Sequence, residues 1–315
     1  MRNNTKYLDL PVFNFTIRHV LVASTVSAIY LLVSWLLIGF KTDQLFLAGI
    51  FSVCYLASSF TRKFILGFSV FIVYWIIYDY MKAFPNYAFN PVHIKSLYDA
   101  EKSIFGIVQG ASILTPNEFW LQHSYTFIDV MTGIFYLCWI PVPLAFAAYL
   151  FFKDKGKFLE FSLTFLFVNL LGFVVYYLYP AAPPWYIQKF GFDFIAATPG
   201  NTAGLVRFDQ FFGINLFTSL YAKGSNVFAA MPSLHSAYPL IVTYVGFKCR
   251  LGWVNIIFVT ITLGIWFAAV YTSHHYVLDV LAGIVTATTG IAGYQMLMNN
   301  RKYMALIERY RNTIS

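Results

Sequence analysis

Runs of about twenty apolar residues recur along this chain, and each run, coiled as a helix, is long enough to cross a hydrocarbon layer of roughly 30 Å. That feature leaves few folds open. In lipid every backbone polar group must be satisfied internally, so a spanning chain is either helical or a closed barrel. The runs lack the strand-like alternation of a barrel. Composition agrees: of 315 residues 59% are hydrophobic and only 11% charged, against about a quarter charged in soluble domains. The sequence predicts an all-α polytopic membrane protein.

About eight transmembrane helices are expected, over residues 17–40, 45–60, 64–84, 125–152, 158–179, 234–247, 253–271 and 276–298. The first run exceeds the apolar core of a signal peptide and leads into further spans, so it is expected to be retained. Pro141 and Pro143 should bend the fourth span, since each removes a backbone donor. The chain then divides into an N-terminal membrane region (1–84), a non-cytoplasmic loop (85–124), a catalytic membrane core (125–298) and a basic cytoplasmic tail (299–315). In the loop, Ile94, Leu97, Ile104, Phe105 and Val108 recur at helical spacing with Lys95, Asp99 and Lys102 between them, the pattern of an interfacial helix. Residues 180–232 are rich in Gly and Pro yet too aromatic for disorder, and are expected to cap something. Cys54, Cys138 and Cys249 all fall inside apolar runs and read as small buried residues.

The formal charge of +8 does not point to nucleic acid, because the basic residues are scattered between apolar runs and form no basic, aromatic-interleaved face. Their placement fits membrane orientation. With the N-terminus in the cytoplasm, Arg2, Lys6, Arg18, Arg62, Lys63, Lys153, Lys155, Lys157, Lys248, Arg250, Arg301, Lys302, Arg309 and Arg311 fall inside, 14 of the 21 Lys and Arg residues. The positive-inside rule then places both termini in the cytoplasm and both long loops towards a periplasm or a Golgi lumen.

The chemistry concentrates at two span ends. One is Ala229-Ala230-Met231-Pro232-Ser233-Leu234-His235-Ser236; the other is Ser273-His274-His275-Tyr276-Val277-Leu278-Asp279. On a helix, Asp279 and His275 share a face, so the carboxylate can hold the imidazole in one tautomer. His274 points about 100° away. An ionisable residue within a span is a functional hypothesis by default. His235 opens the sixth span, where free backbone amides favour an anion such as phosphate, although Pro239 implies a kink or a later helix start. His235, His275 and Asp279 could also offer three zinc ligands, but no H-E-x-x-H pattern accompanies them.

Pro-Ser-x-His followed by His-x-x-x-Asp resembles the second and third signatures of the type 2 phosphatidic acid phosphatase superfamily, helical membrane enzymes working through a phosphohistidine. The resemblance covers roughly the second half of the chain and implies a six-helix core of that type with non-cytoplasmic capping loops. It implies Ser233 as phosphate donor group, His235 as general acid and base, His275 as nucleophile and Asp279 as its partner. The departures matter: Leu234 replaces a Gly, Ala268-Ala269 replaces Ser-Arg, and Gly172 and Tyr179 occupy the Lys and Arg places ahead of Pro180. Losing those cations suits a singly charged phosphodiester better than a dianionic monoester.

Within the superfamily, the fungal-type inositol phosphorylceramide synthases share these departures. Tyr179 to Tyr186, Gly204 to Asp209, Met231 to Ser236 and Ser273 to Tyr276 are similar to blocks of that branch, in the same order; Pro91-Val92-His93 and Glu101 to Gly106 resemble an earlier block. The resemblance implies transfer of phosphoinositol from phosphatidylinositol to ceramide, with diacylglycerol released and neither metal nor cofactor required. Arg207 and Ser233 are candidates for the phosphate oxygens, Trp185 and Tyr186 for the headgroup, and His274 for the edge of the substrate site. Two other readings remain open: a hydrolase of the superfamily acting on phosphatidylinositol, an isoprenoid diphosphate or another lipid phosphate, and a membrane transporter, whose polar groups should lie near mid-bilayer.

Overall fold

A computed structural model describes residues 15–222, 224 and 226–315; Arg2 and Lys6, counted above for orientation, lie outside the described residues. Three helices come first: α1 (Ile17–Ile38), α2 (Thr42–Ala57) and α3 (Ser59–Tyr80). The first long loop carries α4 (Lys95–Phe105), a hairpin of β1 (Ile107–Gln109) and β2 (Ser112–Leu114), and α5 (Pro116–Gln122). Next come α6 (Thr126–Leu137), α7 (Pro141–Lys153) and α8 (Lys155–Leu178). The second loop holds α9 (Pro184–Phe190), α10 (Val206–Phe212) and α11 (Leu216–Tyr221). The chain ends with α12 (Leu234–Lys248), α13 (Val254–Tyr271), α14 (Val277–Met298) and α15 (Arg301–Ile314).

Among the described residues six helical segments are long and apolar enough to cross a membrane, which makes this a multi-pass integral membrane protein. The remaining two expected spans are shorter helices, α2 with 16 residues and α12 with 15. The expected fourth span is broken outright at 138–140, and Pro141 opens α7 at a position where its missing N–H costs nothing. The expected interfacial helix ends earlier than its apolar spacing suggests. It stops at Phe105, and Val108 lies in the exposed hairpin strand. A Cβ at Gly106 would fall 2.2 Å from the Lys102 carbonyl oxygen, so only glycine lets the chain turn there.

The core forms where α3, α7, α8, α12 and α14 meet, filled by Phe71, Phe146, Phe158, Phe161, Phe165 and Tyr238. Helix α12 sits among α7, α8, α13 and α14, so its length is not set by lipid. At about 1.5 Å per residue it is roughly 22 Å long, against about 36 Å for α8. The two helices share one end, where the Lys248 ammonium is bonded to Glu160. At the other end Leu234 packs on Gly172, where a Cβ would lie 2.6 Å from the leucine Cδ2. Helix α8 continues six residues beyond that point to Leu178, so the start of α12 is sunk about 9 Å below the end of its neighbour.

The long loops are stitched over this recess by main-chain bonds. The His93 N–H donates to Pro180 O (2.8 Å), Ala182 N–H to His93 O (3.1 Å), Ala181 N–H to Phe228 O (2.9 Å) and Ala230 N–H to Ala181 O (3.3 Å). Three stretches distant in sequence, around residues 93, 181 and 229, thereby run side by side, with the His93 ring stacked on Tyr179 at 3.8 Å.

Candidate active site

Helix α12 starts where Ser233 caps it: the serine Oγ accepts the Ser236 N–H at 3.3 Å and the Ser236 hydroxyl at 3.0 Å. This fixes His235 in the first turn, half-buried, whatever Pro239 does further along. Pro239 lies inside the helix and has no N–H to give the His235 carbonyl. The Ser233 N–H is itself bound to the Asp279 carbonyl oxygen at 2.9 Å, tying the start of α12 to the first turn of α14. The two helices come this close because position 283 is glycine; a Cβ there would lie 2.2 Å from the Ser233 carbonyl oxygen.

The α13–α14 turn delivers the second histidine. Ser273 takes φ 59°, in the left-handed region that costs a non-glycine residue energy, and its surroundings hold it there. Its carbonyl accepts the Trp185 N–H at 3.1 Å, its hydroxyl accepts from Gln188 at 3.0 Å, and the neighbouring Thr272 carbonyl accepts the Gly204 N–H at 2.9 Å. Asn117 from α5 donates to both the Val270 and His275 carbonyls, at 2.8 and 2.9 Å. His275 therefore precedes α14 instead of lying on it, so the helical i, i+4 geometry does not apply. The pair still meets: His275 Nδ1 is 3.6 Å from Asp279 Oδ2, whose carboxylate also accepts the Tyr276 N–H at 2.8 Å.

The two histidines touch. His235 Nδ1 is 3.1 Å from His275 Nε2 and 3.0 Å from the Tyr136 hydroxyl. Trp139 abuts the His235 ring edge-on at 4.4 Å. Burial lowers the His275 pKa to about 4, opposed by the nearby Ala230 carbonyl. The ring is thus neutral at physiological pH, with a lone pair available on one nitrogen. Asp279 lies towards Nδ1 and favours the proton there, which leaves the lone pair on Nε2.

The other expected residues fall into two groups. Arg207 is near the turn: its Nε donates to Asp129 at 2.5 Å, its guanidinium lies 5.2 Å over the Tyr271 ring, and its buried Nη2 has no hydrogen-bond partner among the described residues. Ser233 is fully buried beside His235. His274 is sandwiched between Tyr136 and Tyr221, at 5.3 and 4.4 Å, with Nε2 on the Thr202 carbonyl. Tyr186 uses its hydroxyl within its own loop, donating to Asp193 O and accepting the Ile195 N–H. Trp185 is buried in the same cluster, against Ala182 and Phe228. In the 204–209 block, Gly204 gives close contact with Thr272, while Asp209 caps α11 by accepting the Phe217 and Thr218 N–H groups.

Sequence reasoning missed Tyr136, Asn117, Asp129 and the role of Glu101. Asp129 carried a usable signal, a carboxylate in the first turn of an apolar span. The buried Glu101 side chain reaches from α4 to accept the Val277 and Leu278 N–H groups at 2.9 and 3.1 Å, closing the start of α14. Burial raises its pKa to about 7 despite those two bonds, and Asp279 adds to the rise.

A His–His–Asp constellation at the recessed end of a helical bundle, with an arginine near the turn that carries it and loops stitched above, is the arrangement of a membrane enzyme. A PAP2 superfamily model matches residues 110–293, more than half the chain, and the protein belongs to that superfamily. It is 43% identical over 298 residues to the phosphoinositol dihydroceramide synthase of Bacteroides thetaiotaomicron, covering 93% of this chain and 97% of that protein. It is 30% identical over 192 residues to the inositol phosphorylceramide synthase of Candida albicans, and 27% over 243 residues to the inositol phosphorylceramide synthase catalytic subunit of Saccharomyces cerevisiae. Those matches cover 57% and 74% of this chain but 40% and 58% of the fungal proteins. No solved structure matches it.

Proposed function

We propose that the protein transfers phosphoinositol from phosphatidylinositol to a ceramide-type lipid alcohol, releasing diacylglycerol. The acceptor is taken as dihydroceramide, after the name of the 43%-identical relative. The observation that carries the reading is the 3.1 Å contact between His275 Nε2 and His235 Nδ1, which places a neutral nucleophile beside a second proton-carrying ring.

In the first half-reaction His275 Nε2 attacks phosphorus and the bond to the diacylglycerol oxygen breaks, with His235 supplying the proton. Phosphoinositol is left on His275. In the second, the acceptor hydroxyl gives its proton to His235 and displaces His275 from phosphorus. A phosphoryl group does not fit between nitrogens 3.1 Å apart, so His235 must swing off His275, and the Tyr136 hydroxyl is the partner that stays with it. Asp279 orients His275; Arg207 Nη2 and the Ser233 hydroxyl are assigned to the phosphate oxygens. Trp185, Tyr186 and His274 act by holding the loops around the site. The site faces the non-cytoplasmic side, with both termini in the cytoplasm, as the distribution of Lys and Arg supports.

Purified protein in detergent, given head-labelled phosphatidylinositol and dihydroceramide, should form labelled phosphoinositol dihydroceramide, and His275→Ala should not. Equal product from the variant would refute the nucleophile assignment. Release of water-soluble inositol phosphate without the acceptor would show a hydrolase instead.

A further inference from the structure

The cation beside the site is not free. Arg207 spends its Nε–H on Asp129, whose Oδ1 also accepts the Tyr271 hydroxyl at 2.8 Å. The ion pair is largely enclosed, with side-chain exposures of 21% and 10%, so solvent screens it little. Only the far side of the guanidinium remains available. Among the described residues Nη2 is buried without a hydrogen-bond partner, and it lies 3.1 Å from the point a Cβ on Gly204 would occupy, a point itself 2.8 Å from Thr272 Cα. The free end of Arg207 therefore rests against the turn that leads into His275.

From this arrangement we infer that Asp129 sets the charge the site accepts: it tethers Arg207 so that one N–H edge faces the phosphate, and it cancels most of the arginine's charge, selecting a monoanionic phosphodiester over a dianionic phosphomonoester. The inference rests on the proposed phosphodiester chemistry. The physical reason is simple. The Arg207–Asp129 pair has little net charge left to offer, so the one negative charge of a diester is tolerated, whereas the nearly two of a monoester meet the Asp129 carboxylate with about twice the repulsion. Asp129 is a positioning and specificity residue, acting through Arg207 and not on the substrate.

Binding of dioctanoyl phosphatidylinositol and dioctanoyl phosphatidic acid to the detergent-purified protein at pH 8, measured by isothermal titration, tests this without relying on turnover. Wild type should prefer the diester. In Asp129→Asn the ratio of the two affinities should move towards the monoester by about tenfold, the size of one partly screened charge–charge interaction. Asp129→Glu, which keeps the carboxylate charge, should keep the wild-type ratio even if both affinities fall, so a shift confined to Asp129→Asn traces to charge. If Asp129→Asn weakens both lipids by the same factor, or leaves the ratio unchanged, Asp129 only braces the fold and the inference fails. Should Asp129→Asn not fold, a wild-type ratio that stays flat between pH 5, where the monoester is singly charged, and pH 8 overturns it equally. Absence of inositol-lipid transfer by a wild type that still discriminates the two charges would count against the proposed headgroup alone.

Discussion

Gly283→Ala offers the most direct test of how the two catalytic helices are coupled. The added methyl would sit 2.2 Å from the Ser233 carbonyl oxygen and 3.3 Å from Ser236 Cβ. Contact at ordinary van der Waals distance requires the start of α12 to retreat by about 1 Å, because the obstacle is backbone and cannot rotate away. The Ser233 N–H bond to Asp279 O, 2.9 Å long, and the 3.1 Å contact between His235 and His275 lie across the same seam. A displacement of that size between reacting groups costs on the order of a hundredfold in rate. Overpacking also costs about 1–3 kcal/mol of stability, offset by about 1 kcal/mol from alanine's better helix propensity. Gly290→Ala is the matched control. It lies two turns along α14, where the new methyl meets Val168 Cγ2 at 2.4 Å, with the histidines elsewhere. Phosphoinositol transfer and thermal unfolding should be measured on both variants. The expected result is a similar loss of stability in each but a drop in kcat of about a hundredfold only for Gly283→Ala. A Gly283→Ala enzyme that folds and keeps kcat within about twofold of wild type would show that helix register does not hold the histidines in place.

Two further outcomes are expected. Tyr136→Phe removes the hydroxyl that stays with His235 when it leaves His275; kcat should fall by roughly tenfold to a hundredfold while the unfolding temperature changes little, and an unchanged kcat would refute the role given to the tyrosine. Burial keeps His275 neutral as pH falls, down to about 4, so the acid limb of kcat/KM should lie far below the ordinary histidine value of about 6.5. The same shift means that the unfolded chain binds this proton more readily than the folded one, so stability falls with decreasing pH from about 6.5 towards 4. A limb found near 6.5 would contradict the burial of the nucleophile.

The apolar runs revealed the membrane bundle because lipid crossing imposes a length and a hydropathy that any window along the chain can detect. The run at 234–247 coincides with α12 to within a residue, and its neighbours supply the surroundings that lipid supplies elsewhere. His235, His275 and Asp279 were legible from motif order, yet the reason first given for pairing His275 with Asp279 was inaccurate: the histidine lies in a turn fixed by Trp185, Gly204 and Asn117. Tyr136 was invisible, being one of 23 tyrosines and singled out only by where α6 meets α12. Glu101 and Asn117 were hidden for the same reason, since each acts on backbone more than 150 residues away, a separation that no periodicity records.

The short α12 also bears on which molecules can react. A helix that begins about 9 Å below its neighbour's end sets the reacting nitrogens back from that end by a distance comparable to one headgroup layer, roughly 5–8 Å. A lipid alcohol with no headgroup carries its hydroxyl at about that level, whereas a phospholipid carries its phosphate higher. On the proposed reaction a headgroup-free acceptor and a phospholipid donor therefore start from different depths relative to the histidines.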